Sequence, residues 1–233
     1  RTVNISDLKA QLSAHLQHVQ DGEELLVCHR NKPVARIIPC SVDDEPQRER
    51  RLIARGVLVL EKEAAFAGLL AGPTGEYFGK IMAGRAGGPI ERPLAFWETS
   101  ALVLLCAHRG ITPRAIALYR HYGVVVWWAT PVEIGSVLRR LLRLKHLTAD
   151  DWTTSRRLAL DLAGAWRVVQ PSNALRSQAS QLVNRYELKG ADALQLAAAL
   201  EWCEGAPQGE VFLAADQKLR EAAVLSGFDA KPI

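Results

Sequence analysis

No run of about eighteen apolar residues occurs anywhere in the 233-residue chain, which excludes a membrane-spanning helix read from hydropathy. The first residues, RTVNISDLKAQL, lack the apolar centre of a secretory signal, so a cytoplasmic protein is expected. Cysteine is sparse: Cys28, Cys40, Cys106 and Cys203 are far apart and form no C-x-x-C pair. That spacing argues against a disulfide frame or a zinc site and for small reduced residues in a core or strand. Charge of one sign is also nearly lacking in excess, at +4. Such a balance permits a nucleic-acid partner without requiring one. Hydrophobic residues at 48% and charged residues at 23% are ordinary for a chain that buries a core, which excludes disorder throughout.

Three regions differ in grammar. Residues 1–50 begin with a strand candidate, TVNI, followed by a helix that Ser6 can cap and that carries Leu8, Leu12, Leu16 and Val19 on one stripe. Asp21–Gly22 ends that helix, and EELLVCH with VARIIP forms a hairpin around Arg30–Pro33. A β-α-β-β unit this small has little core and open sheet edges, so it is expected to dimerise. Residues 51–90 follow a densely charged stretch and are rich in glycine, which disfavours a packed element. Yet Tyr77, Phe78, Ile81 and Met82 make an apolar patch at helical spacing. That patch reads as a docking segment; the alternatives are a plain spacer or the scar of an engineered fusion.

From 91 to 233, strand and helix patterns alternate. The strand candidates are LAFW, VVVWWA, WRVVQ and EVFLAA, with helical patterns at 99–108, 113–121, 131–146, 150–163, 173–186, 190–203 and 217–226. The fold class is therefore α/β, a parallel sheet flanked by helices. Trp97, Trp127 and Trp128 fall in strand candidates and are expected in the core rather than on a base-stacking surface. In such sheets the functional crevice lies beyond the carboxyl ends of the strands. Glu98 directly follows LAFW, and Asp216 directly follows EVFLAA. Glu133 sits just past VVVWWA, where Thr130, Pro131 and Glu133 also spell a helix-capping box. Asp192 interrupts a helix whose residues 191–200 hold only one other polar side chain, Gln195. Each acid has a bland reading as a cap or a helix-dipole partner. As a group they would repel one another in one crevice unless a cation sat among them. All-oxygen ligands suit Mg²⁺ or Mn²⁺, and the matching chemistry is metal-assisted phosphodiester hydrolysis.

The segments AFWETSALVLL, TPVEIGSVLRR, LKGADALQLAAAL and VFLAADQKLREAAVLSGF, in that order, resemble the PIN-domain family, specifically VapC-type toxin ribonucleases. The resemblance covers about 91–233. It implies a PIN-like fold and a Mg²⁺- or Mn²⁺-dependent endoribonuclease acting on RNA. The family's acids would fall on Glu98, Glu133, Asp192 and Asp216, with Ser100 and Thr99 as polar support. One departure is clear: the family's first acid is usually Asp, and here it is Glu98. The added methylene displaces the carboxylate, and Mg²⁺ is strict about geometry, so reduced activity is expected.

The stretch VNISDLKAQLSAHLQHVQDGEELLVCHRNKPVARIIP resembles Phd/YefM-type antitoxins. That resemblance implies a dimeric head that binds operator DNA and a following tail that wraps a toxin. Candidate DNA contacts are Arg1, Lys9, Arg30, Asn31 and Lys32. In the tail, Tyr77 and Phe78 would dock on the nuclease, and Arg85 would reach its acids. The leading expectation is a toxin–antitoxin module on one chain, a ribonuclease held inhibited by its own antitoxin segment. The alternatives are a repressor or assembly protein with a weakened PIN domain, and a nuclease directed at another nucleic acid. Self-association to a dimer or a larger assembly is expected.

Overall fold

The computed structural model describes residues 2–21, 23–29, 32–37, 45–60, 92–107 and 112–233. The chain divides into two compact units, Arg1–Glu49 and Arg50–Ile233.

The first unit is built on a three-stranded sheet. Strand β1 (Thr2–Asn4) runs parallel to β2 (Leu25–His29), and β2 pairs antiparallel with β3 (Lys32–Ile37), with a bulge at Val27/Cys28. The single expected helix is broken in two, α1 (Ile5–Ala10) and α2 (Leu12–Gln20). Gln11 leaves helical geometry at φ −133° and ψ 38°, and Asn4 rather than Ser6 occupies the N-cap position. The break rotates the apolar stripe apart. Val3, Val19, Leu25 and Val27 form the small core with Leu8 against it, while Leu12 and Leu16 stand exposed.

The second unit holds a six-stranded sheet in the order β4-β7-β6-β5-β8-β9. Its strands are β4 (Leu58–Leu60), β5 (Leu94–Trp97), β6 (Gly123–Trp127), β7 (Arg167–Val169), β8 (Val211–Leu213) and β9 (Asp229–Lys231). All pair in parallel except β4, which lies antiparallel on β7 with Leu58 beside Val169. Helix α3 (Glu45–Ala54) leads into β4, and Leu52 and Leu58 are both buried in the unit's core. Arg51 and Arg55 reach Glu204 at 3.1 and 2.8 Å. Residues 50–60 are thus built into the second unit as an edge strand and its lead-in helix. The remaining helices are α4 (Thr99–Cys106), α5 (Pro113–His121), α6 (Thr130–Arg143), α7 (Ala149–Ala163), α8 (Asn173–Tyr186), α9 (Gly190–Trp202) and α10 (Gln217–Leu225).

Strand alternation explains the two cores. Leu94 and Phe96 of β5 face one layer with Val125, Trp127 and the helices α8 and α9. Ala95 and Trp97 face the other with Val124, Val126 and the helices α4, α6 and α7. Both faces are covered at the centre of the sheet, so β5, β6 and β8 read apolar throughout. Strand β5 pairs with both β6 and β8, so the chain moves out to one side of β5 and later returns on its other side. That reversal is the switch point at which α/β sheets open a crevice.

Candidate functional site

Glu98 and Asp216 come from the two neighbouring strands at this reversal. Glu98 leaves β5 in an extended conformation and caps α4, its carboxylate accepting from the Ser100 backbone N–H at 2.9 Å and from the Ser100 hydroxyl. Its own N–H donates to Leu213 O of β8 at 2.9 Å. Ser100 Oγ also accepts from the Ala215 N–H at 2.8 Å, tying the start of α4 to the end of β8. Only 7% of Glu98 is exposed. Burial raises its carboxyl to about 7; the Ser100 hydrogen bonds oppose this, and the charges of Glu133 and Asp192 add to it. The answer to why an acid follows an apolar strand is therefore partly local: it caps a helix that has no other cap.

Glu133 lies in the first turn of α6 and is half-buried. The capping box read from Thr130 and Glu133 does not form. Ala129 is the N-cap without a side-chain hydrogen bond, and Thr130 is fully buried, its hydroxyl without a partner among the described residues. The Glu133 carboxylate instead accepts from Thr99 Oγ1 and from Gln195 Nε2 at 2.6 Å. Gln195 Nε2 also donates to Thr99 Oγ1 at 2.7 Å. Helices α4, α6 and α9 thus converge on one carboxylate. Gln195 is buried, and among the described residues its Oε1 accepts no hydrogen bond.

Asp192 stands in the first turn of α9, three residues before Gln195. Burial raises its carboxyl, followed by the charge of Asp216; Lys189 opposes, and Glu133 adds to the rise. Asp216 is exposed and caps α10, accepting from the Leu219 N–H at 2.8 Å. Glu98 feels Glu133 and Asp192, and Asp192 feels Asp216 and Glu133, so the four acids form one electrostatically connected set. Among the described residues, no three His, Cys, Asp or Glu side chains stand arranged to hold a metal ion. Glu98, Glu133 and Asp216 are turned onto hydroxyl and amide donors instead.

Two residues take places that the sequence alone did not assign to them. Gln195 was visible as the second polar residue of an apolar helix, three positions after Asp192, which is the spacing that shares a helix face. Trp128 was expected in the core, yet the strand ends at Trp127 and Trp128 is 53% exposed just beyond it. Of the candidate DNA contacts, Lys9 lies in the last turn of α1 and Lys32 begins β3, both exposed; Arg1, Arg30 and Asn31 lie outside the described residues. Tyr77, Phe78, Ile81, Met82 and Arg85 also lie outside them, as does Cys40. Cys28, Cys106 and Cys203 are buried free thiols.

Residues 1–52 match the family model of the Phd_YefM antitoxin of type II toxin–antitoxin systems. The N-terminal unit is similar to an antitoxin domain. No curated protein matches the chain. The antitoxin match runs through the first unit and stops inside α3, at Leu52, which is already part of the second unit's core. No helix among the described residues is long and apolar enough to cross a membrane.

Proposed function

We propose that the second unit is a PIN-like, Mg²⁺- or Mn²⁺-dependent endoribonuclease and that the antitoxin-like unit and its tail hold it inhibited. The observation that carries this reading is the placement of Glu98 and Asp216 directly beyond the sheet's carboxyl edge, as caps of α4 and α10, with Glu133 and Asp192 in the first turns of α6 and α9. Burial and mutual repulsion push Glu98 and Asp192 toward the neutral form, and a hard divalent cation would relieve that strain. The donor set fits such a cation in kind, being all oxygen. When bound, the ion supplies charge neutralisation and an activated water for phosphodiester hydrolysis. Ser100 fixes the Glu98 carboxylate, Thr99 and Gln195 fix that of Glu133, and the α10 cap fixes that of Asp216. Metal-dependent cleavage of RNA by the full chain, lost in Asp192→Asn, is the expected result; no cleavage under any metal refutes the nuclease.

Antitoxins of the matched family bind a toxin and DNA, and on this reading the first unit binds operator DNA as a self-associated head. Arg85, which lies outside the described residues, is the candidate inhibitory residue on this reading: Arg85→Ala is expected to raise RNA cleavage, and an unchanged rate removes Arg85 from that role. A second reading, a repressor or assembly protein with a weakened nuclease site, draws on one specific observation. Glu98 stands where the PIN family usually has Asp, and it is turned fully onto Ser100. Faster cleavage by Glu98→Asp supports a weakened site, and equal rates count against it.

A further inference from the structure

Beyond the acids, helix α6 carries Arg139, Arg140 and Arg143 together on its last two turns, all exposed. With Ser136 and Leu142 they line a surface depression of about 590 Å³. Residues three and four apart on a helix are neighbours, so these like charges repel one another. The dipole at a helix C-terminus offsets part of that. Among the described residues no carboxylate forms an ion pair with any of the three. Arg139 is held in place from the next helix: its guanidinium lies 5.8 Å from the Trp152 ring, and Arg156 lies 5.6 Å from the same ring. Such stacking fixes a guanidinium plane without neutralising it. The same helix bears Glu133 in its first turn. Arg140 lies seven residues further on the same face, about 10 Å along the axis at ~1.5 Å per residue.

We infer that the Arg139–Arg140–Arg143 depression is a phosphate-binding subsite that holds the backbone of single-stranded RNA leading away from the acids. This rests on the nuclease reading of the acids and deepens it by assigning the substrate's path. A guanidinium fork pairs two phosphate oxygens at once, and three arginines along the exposed side of one helix suit the repeated phosphates of a strand better than a single small anion.

The test is fluorescence anisotropy of a short labelled single-stranded RNA on the full chain in EDTA, so that binding is read without cleavage. The double variant Arg140→Glu/Arg143→Glu is expected to weaken binding about tenfold or more. It should also flatten the slope of log affinity against log salt by about 1.4, at ~0.7 per lost contact. The double variant Arg140→Lys/Arg143→Lys keeps the charge and retains most of the salt slope. Melting curves matching the wild type confirm that both variants fold, as expected for exposed side chains. Wild-type chain that fails to bind RNA, or a glutamate variant that binds equally well, overturns the site. Tighter binding of a glutamate-rich peptide than of RNA also overturns it, because the depression would then dock protein. The nuclease reading fails by a different observation, the absence of metal-dependent cleavage.

Discussion

Replacing Glu98 by glutamine should stabilise the second unit above neutral pH and leave it nearly unchanged near pH 4, in metal-free buffer. The carboxyl is raised from 4.5 to about 7, chiefly by burial. A raised acid binds its proton more tightly in the folded chain than in the unfolded one. Stability is therefore highest below pH 4.5, declines as pH climbs toward 7, and stays low above it. At ~1.4 kcal/mol per pH unit the full decline is about 3 kcal/mol, an upper value because burial relaxes when the group ionises. Glutamine stays neutral throughout, and its Oε1 can still accept from the Ser100 N–H and hydroxyl. The variant thus removes the charge and keeps the cap. For a unit of this size ~1 kcal/mol moves the midpoint by ~2–4 °C, so a gain of up to roughly 6–12 °C is expected at pH 8. Every tryptophan lies at Trp97 or later, so intrinsic fluorescence follows the second unit alone. A gain equal at pH 4 and pH 8, or no gain at either, would falsify the claim that Glu98 is a buried, repelled carboxyl.

Two further outcomes follow from the packing. Leu52→Ala removes a side chain that is 1% exposed in the second unit's core. It should cost ~2–5 kcal/mol and lower the fluorescence midpoint of that unit, although the residue still lies within the antitoxin match; an unchanged midpoint would mean that α3 does not pack there. Gln195→Ala strips Glu133 and Thr99 of a shared buried donor. A loss of about 1–3 kcal/mol in urea unfolding is expected, with the denaturant slope unchanged; a neutral result would show that Glu133 finds its partner elsewhere.

Much of the second unit was legible because its elements carry local signals. The spans 113–121 and 173–186 are the observed helices α5 and α8, bounded by Thr112 and Ser172 as side-chain caps. Acids that follow strands were legible for the same reason, since a residue directly after a strand must reach the sheet's edge. What was hidden depends on partners remote in sequence. Strand β4 is three residues whose role is set by β7, more than a hundred positions away. Glu133 abandons its local cap because Thr99 and Gln195 arrive from two other helices. The break at Gln11 was also missed: the Leu8–Leu12–Leu16–Val19 periodicity describes one helix, while the small core takes only Leu8 and Val19.

The most direct test of the account is isothermal titration of Mn²⁺ into the full chain, beside the Asp192→Asn variant. The account predicts saturable binding in the wild type that is lost in the variant, because Asp192 lies within charge interaction of all three other acids. No binding in the wild type, or equal binding in both, contradicts it and leaves the four acids as helix caps and buried structural groups.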